Sequence, residues 1–134
     1  MSKGKGSRTQ FKVTRNAEQR ETRPHAKLSY ARVPVQKACF VLDAIRGKDV
    51  ESALAILEYS PRYASAVIDK LLKSAIANAV NNNGMNRGDL YIDECYASND
   101  PIMKRIQPRA QGRAYRIQKR MSNITIILND NKEE

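Results

Sequence analysis

One segment of the chain keeps a helical repeat of apolar residues over about four turns, which limits the folds open to it. The apolar positions recur at spacings of three and four, in the order Ala64, Val67, Ile68, Leu71, Leu72, Ala75, Ile76 and Ala79. Such a stripe covers one face of an α-helix and must pack against another apolar surface. The run Asn81-Asn82-Asn83-Gly84 breaks the repeat, so the sequence predicts that the helix ends there.

Two shorter helical patterns precede this segment. Pro34 suits a first helical position, the apolar residues of segment 35–45 keep helical spacing, and Gly47 is typical of the residue after a helix. Asp49 can cap a second helix. Ser60, before a proline, would end that helix and cap the long third one. We therefore expect three helices in this part of the chain.

The spacing of apolar residues changes to two on both sides of the helices. Residues 90–98 and 122–128 alternate in this way, and residues 27–33 do so more weakly. Strands on both sides of the helices predict an α+β fold, with three helices packed on a small antiparallel three-stranded sheet. The length fits one globular domain over residues 27–134, preceded by a basic N-terminal extension at residues 1–26.

The positive charge is unevenly distributed along the chain. There are 24 Lys and Arg against 14 Asp and Glu, which gives a net charge of +10. Residues 1–30 contribute +6 and residues 101–121 contribute +7 without a single acid, whereas residues 31–100 sum to −1. A nearly neutral centre thus lies between two basic segments, which predicts that these segments bind a polyanion.

The basic segment 101–121 has the pattern of a long hairpin. Residues 101–107 and 113–119 suit an extended backbone, and Pro108 and Gly112 bound a turn between them. Each arm would reach about 24 Å. Because an isolated hairpin is marginally stable and its like charges repel one another, we expect the hairpin, at about residues 100–121, to be held by an acidic partner.

Nucleic acid is favoured as that partner over a merely solvated loop. Apolar residues interleave with the cations, and Arg outnumbers Lys by five to two in this segment. The planar guanidinium suits bidentate phosphate contacts and stacking on bases. RNA is favoured over DNA because no predicted helix carries a basic face for the major groove.

The basic extension at residues 1–26 allows three interpretations. It can be an RNA-binding segment, a disordered solubilising tail or a cleaved organellar presequence. Two acidic residues and few serines weaken the presequence. The basic composition that the extension shares with segment 101–121 favours RNA binding.

No combination of residues predicts catalysis, a metal site or a cofactor. Cys39 and Cys95 stand alone without a CxxC motif, which indicates reduced, semi-buried thiols. His25, the only histidine, suits contact with solvent or RNA better than the role of a general base. Asp93 and Glu94 are neighbours on a predicted strand, so we expect them to face opposite sides. No apolar run is long enough to span a membrane, and we expect a soluble, reducing compartment.

Several short strings occur in an order and spacing that resemble the bacterial-type family of large-subunit ribosomal protein number twenty-two. The resemblance covers about residues 28–128 and rests on these strings: Ile45-Arg46-Gly47-Lys48, Lys73-Ser74-Ala75-Ile76-Ala77-Asn78-Ala79, Leu90-Tyr91, Lys104-Arg105, Pro108-Arg109-Ala110, Gly112-Arg113-Ala114, Lys119-Arg120 and Ile124-Thr125-Ile126. It implies a structural, non-enzymatic protein on the outer surface of the large subunit, whose hairpin threads inward through rRNA. It also implies a role in subunit assembly.

The resemblance and the basic segments together define the expected site residues. The expected rRNA ligands are Lys12, Arg15, Lys27, Arg32, Lys37, Lys104, Arg105, Arg109, Arg113, Arg116, Lys119 and Arg120. The resemblance implies that the hairpin tip lines the nascent-peptide exit tunnel, with the residues Arg109, Ala110, Gln111, Gly112 and Arg113. The first helix departs from the family, since Pro34-Val35-Gln36-Lys37 stands where Ser-Pro-Arg-Lys is usual and one cation and a capping serine are lost.

The implied partners are large-subunit rRNA, neighbouring ribosomal proteins and the nascent polypeptide, with no membrane and no stable homo-oligomer. The ribosome would be cytoplasmic or organellar. Two other classes of function stay open on charge alone: a free-standing nucleic-acid chaperone or DNA-architectural protein, and an enzyme acting on RNA. The absence of a catalytic constellation disfavours the enzyme.

Overall fold

A computed structural model describes residues 22–130 of the 134-residue chain. The elements in chain order are β1 (His25–Ala31), α1 (Val35–Ile45), α2 (Val50–Tyr59), α3 (Tyr63–Asn83), a short 3-10 helix (Arg87–Asp89), β2 (Tyr91–Pro108) and β3 (Ala114–Asn129). Three α-helices and a three-stranded antiparallel sheet confirm the predicted α+β fold. Most of the predicted basic extension lies outside the described residues.

The sheet has the order β1-β3-β2, with β3 in the centre and antiparallel to both neighbours. Ile124, Ile126 and Leu128 alternate along β3 and are fully buried, as expected for side chains on one face of a strand. They join the apolar faces of the helices in a single core. The alternation predicted for residues 122–128 is therefore the face on which the helices pack.

The long helix α3 confirms the helix predicted from the repeat of apolar residues. Of its apolar positions, only Val67 is partly exposed, and it still packs against the core, whereas the others are buried. The helix ends at Asn83, and Gly84 follows with a left-handed backbone at φ +67°. Of residues 22–130, no helix is both long and apolar enough to cross a bilayer.

Replacing Gly84 with alanine is expected to destabilise the fold by about 1 kcal/mol, because a Cβ strains a left-handed backbone. Space is not the reason, since a Cβ at this position would meet no atom within 4 Å. Gly88→Ala is the matched control, because Gly88 is equally open but has no positive φ. Urea denaturation measures both variants, and an equal effect at the two positions would contradict the role given to the backbone of Gly84.

The predicted starts of two helices are corrected by the structure. Pro34 occupies the N-cap of α1 and not its first helical position, and α3 begins at Tyr63 after Arg62. Ser60 instead ends α2, and its hydroxyl pairs with that of Ser65 at 2.8 Å. The prediction that Ser60 caps α3 is wrong, because two further residues, Pro61 and Arg62, separate Ser60 from the start of α3.

The strands β2 and β3 extend from the sheet into the basic segment. Their pairing runs from Tyr91↔Asn129 in the core to Pro108↔Ala114 near the tip. The predicted strands and the predicted hairpin arms are thus parts of the same two elements. Pro101 and Pro108 both lie on β2 and have no backbone N–H to donate to a neighbouring strand. They are tolerated there because β2 is an edge strand.

Two irregularities interrupt the pairing of β2 with β3. One lies between Ile92 and Glu94 and the other between Asp100 and Met103, and each places one extra residue on β2. Such bulges bend a strand and increase its twist. Asp100 is fixed at the second bulge, since its carboxylate accepts a hydrogen bond of 2.7 Å from the backbone N–H of Tyr30. The bulge at Asp100 therefore marks the root of the projecting hairpin and ties it to β1.

Candidate nucleic-acid interface

The projecting part of β2 and β3, residues 101–121 and here called the basic hairpin, has an ordered arrangement of charge. Four successive cross-strand pairs each contain a single cation: Met103↔Lys119, Lys104↔Gln118, Arg105↔Ile117 and Ile106↔Arg116. Paired residues share a face and successive pairs alternate between faces. Lys104 and Arg116 therefore lie on one face, and Arg105 and Lys119 lie on the other.

This charge pattern favours the observed register. A slip of one residue in one direction would set Arg105 opposite Arg116, and a slip in the other direction would set Lys104 opposite Lys119. Like charges directly opposite each other destabilise a pair of strands. The sequence of the basic hairpin thus selects the pairing that keeps its cations apart.

Most side chains of the basic hairpin are exposed to solvent. Ile106 is 70% exposed, Tyr115 is 55% exposed, and all seven cations of the segment are exposed. None of these cations makes an ion pair among the described residues; Arg105 and Arg120 donate only to local oxygens, at 2.8 and 3.3 Å. Because the basic hairpin has unpaired cations on both faces, it is better suited to being surrounded by an anionic polymer than to contact with one flat surface.

The tip of the hairpin is a tight loop. The N–H of Arg109 donates to the carbonyl of Arg113 at 2.8 Å, and Gln111 and Gly112 between them both have a positive φ. All five tip residues are exposed, and an open concavity of about 510 Å³ lies beside Arg109, Arg113 and Tyr115. The predicted tip residues are thus brought together at one end of the molecule.

The predicted cations of the globular part lie on or after β1 and in the first turn of α1. Lys27 lies on β1, Arg32 follows β1, and Lys37 lies in the first turn of α1, all with exposed side chains. Arg32 and Lys37 share a cavity with Arg62, and Lys27 shares a neighbouring cavity with Lys70. Arg62 and Lys70 were missed in the sequence because no local pattern sets them apart. Lys12 and Arg15 lie outside the described residues.

A model of the family described as ribosomal protein L22p/L17e matches residues 26–129. The chain belongs to this family. The match spans both the globular part and the basic hairpin, and it confirms the resemblance seen in the short sequence strings. Members of the L22p/L17e family are structural components of the ribosome and not enzymes.

Curated relatives of the chain carry the name large ribosomal subunit protein uL22. The relative from Lachnoclostridium phytofermentans is 71% identical over 126 residues, which cover 94% of this chain and 98% of the relative. The relative from Lachnospira eligens is 68% identical over 93% of this chain and 97% of the relative. The relative from Acetivibrio thermocellus is 54% identical over 78% of this chain and 84% of the relative. The two longer alignments extend beyond residues 26–129, so part of the basic extension also has a counterpart in those L22p/L17e relatives.

In this member of the L22p/L17e family, the two neighbouring acids of β2 do not face opposite sides. Arg23 donates from Nη1 to the carboxylate of Asp93 and from Nη2 to Glu94 Oε1, the latter at 2.9 Å. The predicted alternation is wrong here because the bulge after Ile92 interrupts it. Both acids bind a single guanidinium where the chain enters β1, which makes them a structural anchor.

The cysteines of this L22p/L17e protein do not form a reactive site. Both are free; Cys39 is partly exposed and Cys95 is buried. Burial raises the pKa of the Cys95 thiol, which therefore stays protonated at neutral pH. Its Sγ lies 3.5 Å from the carbonyl oxygen of Leu42, and Arg46 donates to the Cys95 carbonyl at 3.0 Å. Among residues 22–130, no cluster of three or more potential metal ligands occurs.

Proposed function

We propose that the chain is a structural protein of the large ribosomal subunit that binds large-subunit rRNA through its basic hairpin and its N-terminal segment. The observation that carries the proposal is the set of exposed cations on both faces of the hairpin, which have no carboxylate partner among residues 22–130. Phosphate contacts would supply most of the affinity, and the folded shape of the rRNA would supply the specificity. The name shared by the relatives supports the same assignment.

The proposed rRNA ligands form three groups. The hairpin supplies Lys104, Arg105, Arg109, Arg113, Arg116, Lys119 and Arg120, the globular part supplies Lys27, Arg32 and Lys37, and the extension supplies Lys12 and Arg15. No ion pair within the described residues occupies the first two groups. The protein would support assembly of the subunit by holding separate rRNA segments on one rigid frame.

Co-sedimentation tests this function against that of a free nucleic-acid chaperone. The tagged full chain, expressed in a bacterial cell, is expected to sediment with large subunits on a sucrose gradient at low salt. A chaperone would remain largely in the free fractions. Recovery mainly at the top of the gradient would contradict the proposal. We expect the protein in the same compartment as the ribosome, cytoplasmic or organellar, with no membrane association and no stable homo-oligomer.

The hairpin tip, residues 109–113, would line the nascent-peptide exit tunnel beside neighbouring ribosomal proteins. This part of the proposal is supported by the exposure of the tip residues and by the regular pairs, from Met103↔Lys119 to Pro108↔Ala114, that separate the tip from the root of the hairpin. The left-handed residues Gln111 and Gly112 keep the loop narrow, and a narrow end suits a confined channel. The nascent polypeptide would then pass the side chains of Arg109 and Arg113.

A photo-crosslinking amino acid in place of Ala110 is expected to label a stalled nascent polypeptide in subunits that contain the variant. The same replacement at Ala55, which is exposed on α2, is the matched control and should give no such product. Gel analysis of the radiolabelled nascent chain measures both. Equal labelling from the two positions would exclude a tunnel-lining tip.

A further inference from the structure

Two adjacent surface cavities meet at the start of α3, and Tyr63 lines both of them. The first, of about 470 Å³, is also lined by Arg32, Lys37 and Arg62, and the second, of about 430 Å³, by Lys27 and Lys70. We call this surface the cationic groove, defined by the residues Lys27, Arg32, Lys37, Arg62, Tyr63 and Lys70. It lies on the globular part and is separate from the basic hairpin.

The cationic groove differs from its surroundings in the charged residues that line it. No Asp or Glu of residues 22–130 lines either cavity, although residues 31–100 contain more acids than bases. The neighbouring cavity between α2 and α3 has three acids in its lining, Glu51, Glu58 and Asp69, together with Lys73 and Arg87. None of the five cations of the groove makes an ion pair among the described residues. The groove therefore presents unneutralised positive charge in a concave site.

The helices that begin at this surface add to its positive potential. The N-cap positions of α1 and α3 are held by Pro34 and Arg62, neither of which makes a side-chain capping bond, and neither first turn contains an acid. Lys37 and Arg62 thus lie at the positive ends of two helix dipoles, where a cation is unfavourable and an anion is favourable. A bound anion would offset both of these costs.

Aromatic rings are placed beside these cations. The guanidinium carbon of Arg62 lies 3.8 Å from the centroid of the Phe40 ring, and this cation–π contact orients the arginine. Tyr63 is 70% exposed, and it is the residue that the two cavities have in common. An exposed aromatic ring between two groups of cations has the composition of a surface for single-stranded nucleic acid, where bases stack and phosphates bind on either side.

We propose that the cationic groove binds a single-stranded segment of RNA, with an unpaired base stacked on Tyr63. Phosphates on one side of that base contact Arg32, Lys37 and Arg62, and phosphates on the other side contact Lys27 and Lys70. A duplex fits less well, since its paired bases are not free to stack on a protein side chain. This site rests on the proposed rRNA-binding function and extends the ligands of the globular part by Arg62, Tyr63 and Lys70.

The test measures binding of the full chain to deproteinised large-subunit rRNA as a function of KCl concentration. Tyr63→Leu is expected to weaken binding by about fivefold or more through the loss of stacking, and Tyr63→Phe is expected to restore it. Tyr59→Leu is the matched control, because Tyr59 is 89% exposed and lines neither cavity. All these side chains are exposed, so an unchanged melting temperature is expected for each variant.

The cations are tested in the same assay. The double variant Arg32→Gln/Arg62→Gln should lower the slope of log K against log[salt] by about 1.4, which is about 0.7 for each lost contact to a single strand. Arg87→Gln in the acid-lined cavity should leave the slope unchanged. Equal binding by Tyr63→Leu and Tyr59→Leu, or equal slopes for the double variant and Arg87→Gln, would overturn the groove as an RNA site.

Two further outcomes separate the groove from the function on which it rests. If groove variants bind like the parent while alanine variants of the hairpin bind weakly, the groove proposal fails and rRNA binding stands. If neither set weakens binding, both fail. A photo-crosslinker in place of Tyr63 should label RNA in assembled subunits, and labelling of protein alone would replace RNA by a protein occupant.

Discussion

The full chain is expected to lose affinity for large-subunit rRNA on the order of a thousandfold at 0.1 M salt when Lys104, Arg105, Lys119 and Arg120 are replaced together by alanine. Each lost phosphate contact lowers the salt slope by about 0.7 to 0.9, so four contacts lower it by about 3. The effect is large because these cations make no ion pair within the described residues and lie on both faces of the hairpin.

Filter binding across a range of KCl concentrations measures this change. The control exchanges the two types of cation at the same positions, Lys104→Arg, Arg105→Lys, Lys119→Arg and Arg120→Lys, which keeps the charge. It should retain most of the salt slope, although it alters the bidentate contacts. The alanine variant should melt no lower than the parent, because it removes repulsion between like charges. A parental slope in the alanine variant would show that the hairpin does not bind phosphates.

Replacing Leu72 with alanine is expected to lower the free energy of unfolding by about 2–5 kcal/mol. Leu72 lies in the middle of α3 and is fully buried between the helices and the sheet. Its truncation removes apolar contacts and leaves a cavity that the helix cannot close without moving from β1 and α1. Because α3 also carries Tyr63, the same change should loosen the cationic groove.

Urea denaturation followed by circular dichroism measures the stability of this variant. Val80→Ala is the matched control, since Val80 lies on the same helix with 40% of its surface exposed. It should cost less than about 1 kcal/mol, in keeping with an exposed position. Similar losses for the two variants would mean that the stripe of α3 is not the centre of the core.

The helices were predictable because their signal is local and repeated. The stripe of α3 recurs over about four turns, and burial of nearly every stripe residue follows from its spacing. The end at Gly84 was also local, since a left-handed residue with no Cβ cost is what a helix terminus uses. The start at Tyr63 was not, because the number of residues needed to turn from α2 into α3 depends on how the two helices pack.

The bulge in β2 and the approach of Arg62 to Arg32 depend on contacts between segments that are distant in the sequence. The alternation of β2 predicted that Asp93 and Glu94 diverge, but a bulge depends on the partner strand and is invisible in the sequence of β2 alone. The cations of the basic hairpin were found because they are consecutive and without acids. Arg62 joins Arg32 only because the starts of α1 and α3 meet in the fold, a proximity that no spacing along the chain encodes.

The bulge at the root of the basic hairpin allows the direction of the hairpin to vary separately from its charge. The extra residue lies between Asp100 and Met103, whereas the pairs from Met103↔Lys119 to Pro108↔Ala114 are regular beyond it. Different residues therefore determine the direction of the basic hairpin and its charge. The bulge sets the angle at which the hairpin leaves the sheet, and the pairs beyond the bulge set which charges lie on each face. The regular part acts as a lever arm of about 20 Å. A substitution at Pro101 or Asp100 can therefore displace the distant loop sideways while Lys104, Arg105, Arg116 and Lys119 keep their neighbours across the strands.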